Sequence, residues 1–469
     1  MKKVLSMLLV FCLLSTCVAM AEGGFTPGTY TGVGQGRNGE IKVEVTLGDA
    51  GITDIQVVNS EETPSIGGVA MESLVAEIVD TQSLAIDAMT GATESSRGLL
   101  EAVSNAIIAA GADPEVLMKT AEKATEKQVE LNADVVIVGA GGAGLTAAVE
   151  AARAGASVIV IEAQAFPGGS TGRAGGWLLS AATEEEAAEH GSLTAEQLAE
   201  EFEIYGTEYH DRELSEAFMN NLNENRDWIV AEAKEYGYEI SRFYDPGFYP
   251  LDPADESTMD YTVVYNLMEV THETLREGDG CWITSTLYEE AKKARAEFYL
   301  DTTATELLSE NGAATGVVAV NKDGTTYTVY GKSIILACGG YGANMDLVVK
   351  YCGADPENFI YHGAPSNTGF GIVAGESIGA RIEHDPSFLY NGNELYNTVG
   401  GLVVNGNTEV LDTNNQPIPN LYAAGEISCV TVMDPGLFTR GHNIAWDINS
   451  GRIAGRVTAA RAVETEPAA

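Results

Sequence analysis

Residues 135–162 read "VVIVGAGGAGLTAAVEAARAGASVIVIE": an apolar run, a glycine-rich turn, an Ala-rich stretch, and a second apolar run that ends in an acid. The two runs have the length and β-branched content of buried strands, and residues 143–154 between them predict a helix. Strands that alternate with helices in this way usually pair in parallel. The segment therefore predicts a βαβ unit in an α/β domain built on a parallel sheet.

The glycine spacing in this segment predicts a binding site for a dinucleotide cofactor. Gly139 permits the tight turn, Gly141 lets the backbone approach a pyrophosphate, and Gly144 brings the helix against the strand. The start of the helix at Ala143 offers unpaired N–H groups and the positive end of the helix dipole to phosphates. Glu162 ends the second strand, where an acid accepts hydrogen bonds from the adenosine ribose hydroxyls.

Three later segments favour FAD over NAD. "PGGSTGRAGGW" (167–177) is a second glycine-rich turn, similar to the one that FAD proteins place along the diphosphate and the flavin ring. "NLYAAGEISC" (420–429) puts an acid where a ribityl chain would lie. "GHNIAWDINSGRIAG" (441–455) predicts a buried helix whose N-terminus faces the flavin pyrimidine. The further cofactor contacts predicted are Gly169, Ser170, Thr171, Gly175, Gly176, Ala304, Gly340, Gly425, Glu426 and Asn443.

These blocks, with "SIILACGGYGANMDLV" (333–348), resemble the flavoprotein family of fumarate reductase, succinate dehydrogenase and urocanate reductase. The resemblance covers residues 133–465 and implies a Rossmann-like FAD-binding domain with a parallel sheet. It also implies a two-electron enzyme of anaerobic respiration, which passes hydride from flavin N5 to an activated double bond of a small organic acid.

A different pattern precedes this domain. Residues 28–60 alternate apolar and polar positions between glycine-bearing turns, which predicts a small antiparallel sheet, and helices are expected over 68–80 and 98–110. The charged run 111–132 predicts a helical linker. The fold class expected is thus α/β, a Rossmann-like domain preceded by a small α+β domain at residues 27–110.

The small domain contains the stretch "DAMTGAT", residues 87–93. It resembles the FMN-binding domain of extracytoplasmic reductases and of sodium-pumping respiratory complexes, in which a D-x-x-[ST]-G-A-[TS] motif takes FMN through a phosphoester. The resemblance implies covalent FMN on Thr93, attached by a flavin transferase, with Asp87, Thr90, Gly91 and Ala92 completing the motif. The alternative is a polar turn before a helix, with the hydroxyl of Thr93, Ser95 or Ser96 as the N-cap.

The candidates for catalysis stand at the positions where the family binds its substrate. The family's capping domain is expected to be missing near residues 388–396, because two landmark segments nearly adjoin there. Tyr396 aligns with a carboxylate-binding histidine, Arg440 with a carboxylate-binding arginine, and His442 is a candidate proton donor near neutral pH. The alternatives are that Tyr396 is a packed aromatic residue, that Arg440 forms a surface ion pair, and that His442 is a structural histidine. Too few cationic side chains are predicted at the site to bind both carboxylates of a simple dicarboxylate such as fumarate, so such a substrate is not favoured.

An acidic, aromatic and helical insertion is expected at residues 184–280. Within it, residues 242–265 either close over the flavin as a lid or form a plain surface excursion. The sequence thus predicts an electron path from a membrane or extracytoplasmic donor through FMN to FAD. Two alternatives stay open, a flavin dehydrogenase resembling ketosteroid desaturases and an electron carrier without a substrate of its own.

The first 21 residues predict an export signal, with two lysines, an apolar run and a small-x-small site at residues 19–21. A non-cleaved anchor is the alternative, and Cys17 lies in a stretch that resembles a lipidation site. The net charge of −42 makes nucleic acid a poor partner. No cysteine or histidine spacing indicates a metal site.

Overall fold

The computed structural model describes residues 26–48, 51–62, 67–86, 88–89, 92–118, 127–204, 211–246, 249–252, 255–260, 264–270, 280–384, 394–398, 400–431 and 441–464. The chain divides into two compact units, an N-terminal unit (1–88 and 92–122) and a C-terminal unit (89–91 and 123–469). The expected export signal, with Cys17, lies outside the described residues. None of the described helices combines the length and the apolar character needed to span a membrane.

The described residues of the N-terminal unit form one antiparallel sheet and two α-helices, as the alternating pattern predicts. Strands β1 (Gly28–Gln35), β2 (Glu40–Leu47) and β3 (Ile52–Asn59) lie in the order β1-β2-β3, and helices α1 (Val69–Thr81) and α2 (Thr93–Ala109) follow. The alternate apolar residues of β2 are fully buried. Burying one face of β2 in this way contributes to the core of the unit.

Helix α2 begins at Thr93, five residues before the expected start at residue 98. Gly98 lies inside the helix because β1 passes so close that a Cβ on Gly98 would stand 2.6 Å from the carbonyl oxygen of Gln35. A Cβ on Gly32 of β1 would likewise stand 1.9 Å from the carbonyl oxygen of Ala102. Glycine on both elements lets their backbones touch, so the glycine marks close packing and not a helix end.

The C-terminal unit contains the following further elements. Its strands are β4 (Gln128–Val138), β5 (Val158–Ile161), β6 (Leu178–Ser180), β7 (Ile240–Pro246), β8 (Tyr249–Asp252), β9 (Asp255–Asp260), β10 (Val264–Val270), β11 (Glu297–Tyr299), β12 (Thr302–Glu310), β13 (Ala313–Asn321), β14 (Thr326–Leu336), β15 (Ile360–Tyr361), β16 (Ile382–His384), β17 (Glu394–Leu395), β18 (Gly400–Leu402), β19 (Glu409–Leu411) and β20 (Pro417–Ala423). Its helices are α3 (Gly142–Arg153), α4 (Gly169–Arg173), α5 (Glu184–His190), α6 (Ala195–Ile204), α7 (Arg212–Glu235), α8 (Cys281–Lys293), α9 (Met345–Cys352), α10 (Phe370–Ser377) and α11 (His442–Glu464).

The main sheet has eight strands, in the order β11-β5-β4-β14-β13-β12, with β20 beside β14 and β19 beside β20. The neighbours β11, β5, β4, β14 and β20 run parallel, while β12 and β13 are antiparallel additions. Helix α3 connects β4 to β5, so the predicted βαβ unit and parallel sheet are confirmed. Helix α11 packs on α3, where a Cβ on Gly451 would stand 2.4 Å from the carbonyl oxygen of Ala143.

The expectation of a helical linker over residues 111–132 was wrong for residues 128–132. Strand β4 begins at Gln128, so residues 128–132 belong to the sheet and pair with residues 326–330 of β14, although their composition predicts a helical linker. In the linker the structure describes one short 3-10 helix, Pro114–Leu117, and residues 119–126 lie outside the described residues. Backbone pairing with β14 outweighs the helical propensity of the charged run.

The insertion at 184–280 contains strands as well as helices. Strands β6, β10 and β7 form an antiparallel sheet, and β8 pairs with β9. Helix α7 contacts α11 through the Asn225 side chain, whose Nδ2 donates to Asn449 Oδ1 at 3.0 Å. The Arg452 guanidinium donates to Asn225 Oδ1 at 2.7 Å. These buried hydrogen bonds fix α7 against the helix that supports the cleft described next.

Candidate cofactor-binding site

A cleft of about 720 Å³, including its open mouth, lies at the carboxyl ends of the parallel strands of the C-terminal unit. The loops after β4, β5, β14 and β20 meet there, because parallel strands end at one edge of a sheet. Ten residues predicted as cofactor contacts line this cofactor cleft: Gly139, Gly141, Ala143, Glu162, Gly169, Ser170, Thr171, Ala304, Gly425 and Glu426. Contacts predicted from five separate stretches of sequence are therefore brought together.

Five predicted contacts lie outside the lining: Gly144, Gly175, Gly176, Gly340 and Asn443. A Cβ on Gly144 would stand 1.9 Å from the carbonyl oxygen of Gly139, which is the helix-to-strand packing that its position predicts. A Cβ on Gly340 would stand 1.8 Å from Thr398 Oγ1, so protein atoms already occupy that side of the residue. The Gly176 carbonyl accepts a hydrogen bond from Trp282 Nε1 at 2.9 Å. Gly144, Gly176 and Gly340 thus make contacts within the protein.

The fingerprint loop, residues 139–144, has room for a ligand at one position in particular. Gly139 has a φ of +103°, which favours glycine at this turn. A Cβ on Gly141 would meet its nearest neighbour, the carbonyl oxygen of Gly168, only at 3.9 Å. The face of Gly141 is thus open to the cleft beside the first turn of α3. The backbone N–H groups there fit a phosphate or diphosphate group.

Glu162 is fully buried at the end of β5. Its Oε2 accepts a hydrogen bond from the backbone N–H of Ala140 at 2.6 Å, and its Oε1 accepts one from the N–H of Gln164 at 2.8 Å. Burial raises the pKa of this carboxyl, and the backbone hydrogen bonds oppose that rise. The side chain therefore holds the fingerprint loop in place while it lines the cofactor cleft.

Glu426 lies in a polar network that the sequence did not reveal. Its Oε1 accepts from the backbone N–H of Thr398 at 2.7 Å, and its Oε2 accepts from Asn367 Nδ2 at 3.0 Å. Asn367 Nδ2 also lies 2.9 Å from the Tyr361 hydroxyl and 3.2 Å from Ser170 Oγ. Burial raises the pKa of both Glu426 and Tyr361. The network offers hydroxyl, amide and carboxyl groups to a polyol chain in the cleft.

Asp447 is a second feature that the sequence analysis missed. It lies on the buried side of α11 and lines the cleft, where its Oδ2 accepts from Thr171 Oγ1 at 2.7 Å. Burial, together with the nearby Glu426 charge, raises its pKa to about 7, while the hydrogen bonds from Thr171 and from the Glu426 backbone oppose that rise. The signal available in the sequence was an acid in the middle of the predicted buried helix "GHNIAWDINSGRIAG".

The three catalytic candidates are not brought together by the described residues. Arg440 lies outside them. His442 and Tyr396 are described, but neither lines the cofactor cleft. Tyr396 is 40% exposed and its ring stacks on His362 with centroids 4.2 Å apart.

The surroundings of His442 do not favour its predicted role as a proton donor near neutral pH. His442 is 2% exposed, and its ring centroid lies 5.4 Å from that of Phe218. Burial lowers the pKa of His442 to about 3, so the imidazole is neutral at pH 7. A structural histidine, the alternative open from the sequence, fits this environment.

In the N-terminal unit, Thr93 is the first residue of α2 and Ala92 is its N-cap, without a side-chain capping bond. Ser95 donates a hydrogen bond to Glu62 instead, and Ser96 Oγ donates to the Ala92 carbonyl at 2.8 Å. None of the three hydroxyls is therefore an N-cap, so that alternative was wrong. Asp87, Thr90 and Gly91 lie outside the described residues, and attachment to Thr93 stays a prediction.

Comparison with known proteins agrees with this geometry. A family described as "FAD binding domain" matches residues 134–391 and 394–435, and a family described as "FMN-binding domain" matches residues 36–108. The first match covers more than half of the chain. The protein therefore belongs to the FAD-binding flavoprotein family that the sequence resembles, and it carries an FMN-binding domain as well.

Its curated relatives include two reductases. The chain is 30% identical to the NADH:acrylate oxidoreductase of Vibrio harveyi over 403 residues, which cover 76% of this chain and 40% of the relative. It is also 30% identical to the urocanate reductase of Eggerthella lenta over 374 residues, covering 78% of this chain and 58% of the relative. The chain thus spans roughly half of the length of these relatives.

Two solved structures share the fold. The open conformation of a flavocytochrome c3 fumarate reductase matches with a TM-score of 0.58 at 18% identity, covering 71% of this chain and 79% of that one. The 3-ketosteroid-Δ4-(5α)-dehydrogenase of Rhodococcus jostii RHA1 matches with a TM-score of 0.57 at 19% identity, covering 73% and 99%. At these identities the matches establish the fold alone, and they confirm the predicted fold class.

Proposed function

We propose that this protein is a flavin-dependent reductase that delivers electrons through FMN on Thr93 and FAD in the cofactor cleft to the activated C=C bond of a small organic acid. The observation that carries this proposal is a cleft suited to FAD in a chain that also has an FMN-binding domain. The relatives' names add acrylate and urocanate, both acids with a conjugated double bond. FAD would supply hydride chemistry at the flavin ring.

Different residues of the cleft would bind different parts of FAD. The open face of Gly141 and the first turn of α3 would take the diphosphate, and Glu162 the adenosine ribose. Glu426 and Asn367 would hold the ribityl hydroxyls, because their polar atoms converge on that wall of the cleft. The cleft thus offers a polar group for each polar part of the cofactor.

For the substrate, we propose Arg440 as the carboxylate anchor and Tyr396 as the proton donor. Tyr396 is preferred to His442 because its side chain is exposed and carries a hydroxyl, whereas the imidazole of His442 is buried and neutral. One arginine suits a monocarboxylate better than a dicarboxylate. Acrylate-like or urocanate-like enoates are therefore the proposed substrate class.

The proposals on export and on partner proteins are based on the sequence alone. The signal at residues 1–21, with or without a lipid on Cys17, would place the protein outside the cytoplasm. A covalent bond to Thr93 would keep FMN from being lost by dilution there. The proposed partners are a membrane or extracytoplasmic electron donor and a flavin transferase that attaches FMN.

Two measurements test the proposal. Intact mass and peptide mapping of protein exported from a host that has the transferase should find FMN on the Thr93 peptide and one extractable FAD. Thr93→Ala should lose the FMN, while Ser104→Ala, a hydroxyl change in the same helix α2, should keep it. FMN on a different residue would contradict the assignment to Thr93.

Turnover tests the reaction itself. A reduced low-potential dye should be oxidised in the presence of acrylate or urocanate and hardly at all with fumarate. The opposite reaction, dehydrogenation, is assayed with an oxidised dye and saturated acids or ketosteroids. Activity only in that second assay would make the protein a dehydrogenase, and no turnover in either would favour an electron carrier.

A further inference from the structure

Asp447 connects three loops of the cofactor cleft. Its Oδ2 accepts from Thr171 Oγ1 at 2.7 Å, and the same hydroxyl oxygen accepts from the backbone N–H of Gly142 at 3.2 Å. A Cβ on Gly142 would stand 3.0 Å from Asp447 Oδ2, and one on Gly425 would stand 2.7 Å from Oδ1. The backbone of Glu426 also donates to this carboxyl. The carboxyl thus lies beside the first turn of α3, where the fingerprint loop faces the cleft.

The groups around Asp447 leave its negative charge poorly compensated. Helices α3 and α4 present the uncharged Gly142 and Thr171 to it, and the turn after β20 presents Glu426, which is itself an acid. Arg173, at the end of α4, acts on Tyr361, and Arg452, further along α11, pairs with Glu150. A half-buried carboxylate with a like charge nearby is expected to favour its protonated form.

We propose that Asp447 is a cofactor-binding residue that holds the diphosphate of FAD as a neutral acid, so that FAD binding takes up one proton from solution. A diphosphate adds two negative charges beside the first turn of α3. An ionised Asp447 would repel them across a cleft of low dielectric, whereas the protonated acid would not. No covalent bond to the cofactor forms or breaks in this step, because the only chemical change is the transfer of one proton from solution to the Asp447 carboxylate.

The proposal rests on FAD occupying this cleft, and it fixes how binding depends on pH. Burial raises the pKa of Asp447 to about 7 before the diphosphate is present. The diphosphate would raise it further, so the FAD-bound form would stay protonated at higher pH. The dissociation constant should be constant below pH 7 and should rise by up to about tenfold per pH unit above it.

Calorimetry on the full chain, stripped of FAD and then titrated with FAD, tests this directly. Titrations in pairs of buffers with different ionisation enthalpies give the number of protons bound. Wild type should take up almost none at pH 6, about half a proton at pH 7 and close to one at pH 8 to 9. Asp447→Asn, which is neutral at every pH, should lose both the uptake and the pH dependence of FAD affinity.

Two matched variants locate the proton. Asp346→Asn changes an exposed acid of α9 and should behave as wild type, and Glu426→Gln should keep most of the uptake. Binding of FAD to wild type without proton uptake between pH 7 and 9 would overturn the proposal. Uptake that survives in Asp447→Asn and disappears in Glu426→Gln would overturn it too, by assigning the proton to Glu426.

If Asp447→Asn fails to fold, infrared difference spectra of wild type decide. The carboxylic acid C=O band should grow when FAD binds at pH 8, and its absence would contradict the proposal. Failure of wild type to bind FAD at any pH is a different result, because it would remove the proposed function together with this inference.

Discussion

Ser95 and Glu62 are joined by a buried hydrogen bond that links the first turn of α2 to the chain after β3. Glu62 Oε1 also accepts from the backbone N–H of Asn38 at 2.8 Å, so one carboxylate ties three parts of the N-terminal unit together. Thr93 lies two residues before Ser95 on the same helix. The conformation of the proposed attachment site therefore depends on this pair.

Ser95→Ala should destabilise the N-terminal unit by about 1–3 kcal/mol, because it leaves an oxygen of a buried carboxylate without its partner. FMN incorporation at Thr93 should fall with it. All four tryptophans, at 177, 228, 282 and 446, lie in the C-terminal unit, so tryptophan fluorescence does not follow unfolding of the N-terminal unit. Hydrogen exchange of peptides from β2 is therefore the suitable measurement. Ser104→Ala is the control, and equal protection in both variants would contradict the prediction.

Gly32→Ala should destabilise the same unit by about 1–3 kcal/mol or more. The added Cβ would stand 1.9 Å from the backbone oxygen of Ala102, so α2 must move away from β1. Exchange in peptides from β1 and α2 should accelerate by at least about tenfold. Gly406→Ala is the matched control, because a Cβ there meets nothing within 4 Å.

Gly141→Ala should separate cofactor binding from folding. A Cβ at Gly141 clears its nearest protein atom by 3.9 Å, so the FAD-free protein should unfold within about 0.5 kcal/mol of wild type. The same methyl group would fill the open face where the diphosphate is proposed to bind, and FAD affinity should fall by at least about tenfold. Tryptophan fluorescence during urea unfolding and FAD titration measure the two effects. Unchanged affinity would place the diphosphate elsewhere.

The features that could be predicted from the sequence are those that local sequence patterns determine. The βαβ unit around Gly139 and Glu162 depends on strand and helix periodicity and on turn glycines, and all of these lie within 28 consecutive residues, 135–162. Its strands, helix and order are confirmed, and so is the alternation in β2. The lining of the cleft by Gly139, Gly141 and Glu162 follows from the same local geometry.

What the sequence could not predict are contacts between distant residues. The hydrogen bond from Thr171 to Asp447 joins residues 276 positions apart, and Asn367 reaches Ser170 across 197 positions. No periodicity specifies such pairs, since they arise where α4 meets α11 and the loop that precedes α10. The environment of His442 is similar, because its burial against Phe218 of α7 depends on how the insertion packs.

The burial of His442 predicts an acid-sensitive C-terminal unit. Its pKa falls from 6.5 to about 3 on folding, so the unfolded chain binds more protons between these pH values. The stability that this histidine contributes is complete above pH 6.5 and is lost as the pH falls towards 3, by up to about 1.4 kcal/mol per pH unit. In His442→Gln the free energy of unfolding, followed by tryptophan fluorescence, should vary less with pH in this window. His190→Gln, at an exposed histidine of α5, should keep the wild-type slope, and equal slopes in all three proteins would contradict the prediction.

Tyr396→Phe tests the proposed proton donor with the least structural change. Phenylalanine keeps the ring that stacks on His362 and removes only the hydroxyl. If that hydroxyl delivers the proton, kcat/KM for acrylate with a reduced dye should fall by about 10² to 10⁴ while FAD content stays the same. Tyr330→Phe is the matched control, because Tyr330 is 39% exposed against 40% for Tyr396 and lies on β14. A rate equal to that of wild type in Tyr396→Phe would make Tyr396 a packing residue, and the donor would then have to be sought among groups nearer the cofactor cleft, with the Tyr361 hydroxyl first because it already reaches Asn367 and Ser170.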